Sequence, residues 1–302
     1  MQGTENGKMR QKTLYNFSLI KYNAVIPRRT CRWMKKGKRI MKKLIAILLA
    51  VMLMAACFAG CQSSDKDTIV VGYTIYAPMN YLDESGNLVG FDTDLAKAVF
   101  ENLGYEVIFQ QIDWNSKYTD LESGTIDCVW NGFTCNTADD DGILRSEKVD
   151  FSYNYMENRQ VIVCKSDAGI ASAADLSGKV AAVESGSAGE TYAKSFDGVN
   201  TKGFNYQTDC LFEVNAGTVD FAVVDAQLAK SYCGKGDYAS LSIVEALSSD
   251  VEFYAIGFKK GSDLTAKVNA ELEKLAADGT IAKLAQKYGV ETTAVTDFSD
   301  QK

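Results

Sequence analysis

Thr68-Ile69-Val70-Val71-Gly72-Tyr73-Thr74, then Asp92-Thr93-Asp94-Leu95-Ala96-Lys97-Ala98-Val99-Phe100-Glu101-Asn102-Leu103-Gly104, then Tyr105-Glu106-Val107-Ile108-Phe109-Gln110-Gln111, is the stretch that decides the fold. The first run is short and β-branched, as a buried strand requires. In the second, Asp92 can cap a helix whose Leu95, Ala98, Val99 and Leu103 share one face, and Gly104 ends it. The third is a strand again. The rhythm continues with a short helix at 116–123, a buried strand at 126–130, and strands at 160–164, 179–183 and 221–224. Helices are expected near 189–196, 208–216 and 226–233. Such alternation implies an α/β fold of mainly parallel sheets covered by helices. The segment 262–288 is almost wholly helical and broken at Gly279. No Pro-rich or Ser-rich linker separates the two α/β halves, so strand-like crossings near 156–160 and 250–254 are expected to form a hinge.

Upstream, Lys42 and Lys43 precede the apolar run 44–56, and small residues precede Cys57 and Cys61. This is the pattern of an export signal, and the run is shorter than the roughly 20 residues a bilayer-spanning helix needs. Phe58-Ala59-Gly60-Cys61 resembles a bacterial lipobox, so Cys61 is expected to be lipidated and to anchor an extracytoplasmic protein to the membrane. The signal is thus expected over 41–61 and a linker over 62–67. Residues 1–40 hold eleven Lys and Arg and one acid, without apolar periodicity. They read as an extension upstream of a true start at Met34 or Met41.

Beyond Cys61 the charge changes sign: 19 Lys and Arg stand against 38 Asp and Glu, a formal −19. Nucleic acid and anionic surfaces would be repelled. The chain has no histidine, which removes Ser-His and Cys-His catalysis and every histidine metal site. Cys128, Cys135, Cys164, Cys210 and Cys233 follow no zinc spacing. No metal, cofactor or catalytic residue is expected.

Only Arg145 and Arg159 are available beyond Cys61 for bidentate capture of a carboxylate. Arg145 follows the acidic turn Asp139-Asp140-Asp141-Gly142, where a surface ion pair is the alternative reading. In Glu184-Ser185-Gly186-Ser187-Ala188-Gly189-Glu190, Ser187 and Glu190 have capping-box spacing, so a helix starts at Ala188. Its first N–H groups either meet an anion or are simply capped. Tyr76, beside Pro78, and Trp114 follow strands, where open α/β sheets line their crevices. Asp225 does too, with a helix N-cap as its alternative role.

Together these residues resemble a polar amino-acid-binding protein of an ABC transporter, with the two-lobed type II periplasmic-binding-protein fold. The resemblance rests on Tyr76-Ala77-Pro78, Val89-Gly90-Phe91-Asp92-Thr93-Asp94-Leu95-Ala96, Asp127-Cys128-Val129-Trp130-Asn131-Gly132-Phe133-Thr134 and Val149-Asp150-Phe151-Ser152. It extends through Asp175-Leu176-Ser177-Gly178-Lys179-Val180, Glu184-Ser185-Gly186-Ser187, Asp278-Gly279-Thr280 and Lys287-Tyr288. It implies lobe one over 68–157 and 253–290, lobe two over 158–252, a two-strand hinge, and a tail over 291–302.

The resemblance also implies roles. Tyr76 and Trp114 flank a bound free amino acid. Gly132 and Thr134 hold its α-amino group opposite Asp225. Arg145 and backbone N–H groups near Ser187 and Ala188 hold its α-carboxylate. Tyr73, Asn131 and Glu184 face its side chain, a set that suits a neutral polar or a cationic side chain, the neutral one preferred, and rejects an acidic one, since Arg159 lies too far along the hinge to serve a second carboxylate. The sequence departs from the family in two places. About six extra residues lie within 136–144, before the arginine, and Met79 replaces a common phenylalanine. The implied activity is non-enzymatic: a monomer delivers its ligand to a membrane permease. A dehydratase-like enzyme with Glu184 as its acid, or a sensory ectodomain, are the alternatives.

Overall fold

The computed structural model describes residues 67–301. The expected extension, signal segment, Cys61 and all but the last residue of the linker lie outside them.

The chain opens with β1 (Thr68–Tyr73), the hairpin of β2 (Tyr81–Leu82) and β3 (Leu88–Val89), and helix α1 (Phe91–Asn102). Next come β4 (Glu106–Gln111), α2 (Lys117–Ser123), β5 (Cys128–Val129), one turn of helix α3 (Arg145–Lys148) and β6 (Asp150–Phe151). β7 (Met156–Asn158) leads into β8 (Gln160–Lys165), β9 (Val180–Glu184), α4 (Ala188–Lys194), β10 (Asn200–Phe204) and α5 (Gln207–Ala216). After β11 (Phe221–Asp225), α6 (Ala226–Tyr232) and β12 (Leu241–Val244), the chain returns through β13 (Glu252–Tyr254) to β14 (Gly257–Phe258), α7 (Leu264–Ala277) and α8 (Thr280–Tyr288).

Two five-stranded sheets result, in the orders β4-β1-β5-β14-β6 and β10-β9-β11-β8-β12. Each contains a parallel trio, β4-β1-β5 or β10-β9-β11, built from the strand–helix–strand units seen in the sequence. At the sheet edges β6 and β12 run in the trio's own direction, and only β14 and β8, between them and the trio, run antiparallel to it. They differ because β8 and β14 enter their sheets directly from the crossings rather than through a helix. The crossings pair with each other: β7 and β13 form an antiparallel ribbon with Glu252 opposite Asn158 and Tyr254 opposite Met156. Two lobes are thus joined by two strands, a geometry suited to hinge motion.

The lobe-one core packs α1, through Leu95, Ala96, Val99 and Phe100, on the sheet around Trp130. Phe100 meets Trp130 edge-on at 6.0 Å between ring centroids. Asp92 does not cap α1 as its spacing suggests. Gly90 takes the cap position at φ 136°, where an added Cβ would come 2.0 Å from the Met79 carbonyl oxygen. Asp92 falls in the first turn, fully buried, and accepts hydrogen bonds from Tyr155 Oη (2.8 Å) and Gly132 N (3.0 Å). Burial raises its carboxyl to about 7, against those two bonds. The helix-rich end breaks at Gly279, which adopts φ 79° between α7 and α8. Beyond residue 290 the chain packs back on lobe one: Val295 N donates to Tyr155 O (2.9 Å), and Phe298 stacks on Tyr153 with centroids 5.8 Å apart.

Candidate binding cleft between the lobes

The carboxyl ends of β5, β9 and β11 converge on one cleft. Lobe one contributes Trp114, Asn131, Gly132, Thr134 and Arg145, and lobe two contributes Glu184, Ser187, Ala188 and Asp225. Nine of the residues singled out in the sequence are therefore brought together. The space these side chains leave between them is about 10 Å³, room for about one water.

Arg145 opens α3 and is 1 % exposed. Its Nε donates to Asp139 Oδ1 (2.7 Å), Nη1 to Thr134 O (3.2 Å) and Nη2 to the lobe-two carbonyl of Gly186 (3.4 Å). A guanidinium has five N–H donors, so two remain for a carboxylate. Burial pushes Asp139 upward, but Arg145, Lys148 and the Tyr118 hydroxyl outweigh it and hold the acid at about 2. The acidic turn is thus the partner that orients Arg145, and it leaves this arginine buried in the cleft rather than on the surface.

Asp225 precedes α6 but makes no capping bond to it. Its Oδ1 instead accepts from Asn158 Nδ2 (2.7 Å) and Gln160 Nε2 (2.6 Å), and its Oδ2 from Gln207 Nε2 (2.5 Å). These bonds lower its carboxyl, yet burial prevails and the net shift is upward. Ser187 does cap α4, accepting from Glu190 N (3.0 Å), while the Glu190 carboxylate takes Gly186 N (2.7 Å). Gly132 sits at φ 60°, and a Cβ there would meet Tyr76 Cε1 at 2.7 Å, so only glycine fits.

Glu184 is buried, and its Oε1 has no hydrogen-bond partner among the described residues. Burial and then the neighbouring Asp225 raise its carboxyl to about 8, keeping it largely protonated at neutral pH. The Asn131 amide is committed within lobe one, accepting from Thr74 Oγ1 (2.7 Å) and donating to Thr74 O (2.9 Å) and Asn80 Oδ1 (2.7 Å).

Two expected residues are not among those lining the cavity. Tyr76 is fully buried and shares a 2.7 Å hydrogen bond with Tyr254 Oη. Tyr73 lies edge-on to Phe109, with centroids 6.2 Å apart. In each case an aromatic partner within the lobe holds the ring.

The structure adds residues that no local pattern flagged. Gln160 and Gln207 line the cleft, and Glu252 accepts from Thr134 Oγ1 (3.0 Å). Lys117 is a second buried cation near Arg145, sharing the Gly186 carbonyl with it. It is 2 % exposed and donates to Gly186 O (3.0 Å) and Trp114 O (3.3 Å), with its ammonium 4.6 Å from the Tyr118 ring centroid. Burial, then Arg145, lower its pKa to about 7. Two of its three N–H donors are committed to these carbonyls.

Among the described residues no cluster of acids, cysteines or histidines could hold a metal ion, and no helix is long and apolar enough to cross a membrane.

The chain is 33% identical over 257 residues to the arginine-binding extracellular protein ArtP of Bacillus subtilis, covering 82% of this chain and 98% of ArtP. A solved ancestral arginine-binding protein bound to glutamine aligns with TM-score 0.67 and 37% identity, covering 74% of this chain and 98% of that one. An ancestral amino acid-binding protein, a precursor of cyclohexadienyl dehydratase, aligns with TM-score 0.65 and 30% identity over 74% of this chain and 96% of that one. The sequence profile of one family spans residues 69–291, and the chain belongs to that family, the bacterial extracellular solute-binding proteins, family 3.

Proposed function

We propose that this protein is an extracytoplasmic receptor, lipid-anchored at Cys61, which closes its two lobes on one polar amino acid and presents it to an ABC transporter permease. It does so as a monomer and without catalysis. The observation that carries this reading is the placement of Arg145 and Asp225 on opposite lobes of one cleft, with Asp225 turned from its helix cap into three amide donors. An α-carboxylate and an α-ammonium are the two charges of one small molecule that such a pair accommodates. Ligand groups held by both lobes stabilise the closed state by their differential affinity for it. Solute-binding relatives named for arginine support the amino-acid class, and one related structure holds glutamine.

The side-chain end of the ligand meets Glu184 and Gln207. A protonated Glu184 with an unused oxygen suits a neutral polar side chain such as an amide. A cationic side chain is the second reading, favoured by the excess of buried carboxyls, Glu184, Asp225 and Glu252, over the buried cations Arg145 and Lys117. An acidic side chain fits neither. The test is a thermal-shift panel of the twenty L-amino acids plus L-cystine, since ligand bound to the native state raises its melting temperature. Polar members should give the large shifts. The largest shift from aspartate or glutamate would overturn this pocket assignment.

A further inference from the structure

Glu252 lies on hinge strand β13, 5 % exposed, and reaches from the hinge into the contacts of both lobes. Its Oε2 accepts from Thr134 Oγ1 of lobe one at 3.0 Å and from Gln160 Nε2 at 3.0 Å. The same Gln160 amide nitrogen donates to Asp225 Oδ1 at 2.6 Å, so its two hydrogens serve two carboxyl groups. Asn158 Nδ2 likewise reaches both acids, at 2.7 Å to Asp225 and 3.5 Å to Glu252. The Thr134 hydroxyl donates its one proton to this same Glu252 oxygen. A hydroxyl has one donor hydrogen and two lone pairs. With its hydrogen spent on Glu252, Thr134 can only accept from whatever enters the cleft.

We infer that Glu252 is a positioning residue for recognition of the α-ammonium group, fixing Thr134 as an acceptor and tying it through Gln160 to Asp225; this rests on the amino-acid receptor reading above. An ammonium offers donors only, so an acceptor-only Thr134 and the Asp225 carboxylate complement it. A hydroxyl in the ammonium's place gains less, because it brings no charge to Asp225. An acceptor-only Thr134 also takes a charge-assisted hydrogen bond from an ammonium, roughly twice as strong as one from a neutral hydroxyl, so Glu252, acting through Thr134, is placed to raise the preference for amino acids over their α-hydroxy analogues. A purely structural hinge acid would affect both classes equally.

The experiment is calorimetric titration of wild type, Glu252→Gln and Glu252→Leu with the twenty L-amino acids and L-cystine. The α-hydroxy acid matching the tightest amino acid is titrated alongside it. Glu252→Gln keeps a carbonyl oxygen to accept from Thr134 and Gln160, and should stay within about threefold of wild type for both ligands. Glu252→Leu should lose about tenfold or more for the amino acid, because a hydrogen bond to a charged group is lost, with little change for the hydroxy acid. Equal losses for the two ligands in Glu252→Leu would overturn the inference. So would loss of amino-acid discrimination in Glu252→Gln, a readout that survives if the leucine variant fails to fold. A wild type that binds none of the panel would instead sink the receptor reading, and this inference with it.

Discussion

Thr191 Oγ1, on α4 of lobe two, donates a 3.1 Å hydrogen bond to Asp140 Oδ1 in the acidic turn of lobe one. Lys194 pairs with the same carboxylate. The extra residues before Arg145 therefore do two jobs: Asp139 orients the arginine, and Asp140 reaches across the cleft to the other lobe.

Asp140→Ala should consequently speed ligand release without slowing capture, because the contact exists only when the lobes are closed. The pair is exposed, and exposed pairs contribute about 0 to 1 kcal/mol, so the rise in release rate should be about two- to fivefold. Stopped-flow fluorescence with the tightest-binding panel member measures this. Wild-type release should also quicken at high salt, through screening, and Asp140→Ala should be less sensitive. Equal release rates at low salt would remove the bridge from the account.

Arg145→Ala should cost about 2 to 5 kcal/mol of binding, since it strips a desolvated partner from the ligand carboxylate. Arg159, whose Nη1 donates to Ser249 O (2.6 Å) away from the cleft, should cost little when replaced by alanine. Calorimetry giving the reverse order would mean that the ligand carboxylate lies elsewhere.

The buried acids make stability depend on pH. Glu184 is raised to about 8 and Glu252 to about 7, both by burial and then Asp225, and Asp92 to about 7 by burial, from ordinary values of 4.5, 4.5 and 3.8. The folded chain thus binds more protons than the unfolded one between each pair of values. The stability these acids allow is fully present below the unfolded values and is lost as pH rises through the folded ones. Lys117, lowered to about 7, acts in the opposite direction above that pH. The ligand-free melting temperature should therefore fall between about pH 5 and pH 7, and Glu184→Gln should flatten the slope. A melting temperature that climbs over this window in calorimetric scans would contradict the protonated state assigned to these groups.

Mass spectrometry of membrane-extracted protein should find a diacylated cysteine at position 61 as the N-terminus. Lipid on Cys57 alone, or an intact start at Met41, would refute the anchor.

Much of this was legible locally. Period-2 and period-3.6 patterns locate β1, α1 and β4, because each buries its own face. Arg145 stands out because only two arginines are available beyond Cys61, and Asp225 because it ends a buried strand. What was not legible depends on distant partners. Glu252 matters through Thr134, 118 positions away, and Gln160 through Asp225, 65 away. Those pairs form only once two crossings have been folded into one ribbon. Tyr76 satisfies its hydroxyl with Tyr254, 178 positions away, which no spacing rule anticipates. Asp92 has the composition of a helix cap, but Gly90 fits the close approach to Met79 that a cap residue with a Cβ cannot.

Arg145 and Asp225 are proposed to grip the two charges of one amino acid. Calorimetry of the tightest-binding amino acid against its α-carboxamide, which lacks the carboxylate, and its deaminated acid, which lacks the ammonium, separates the two contacts. One site per chain is expected, with a loss of about a hundredfold or more for both analogues, since each leaves a buried charge of the cleft unpaired. An analogue lacking the carboxylate that binds as tightly as the parent amino acid would contradict this grip.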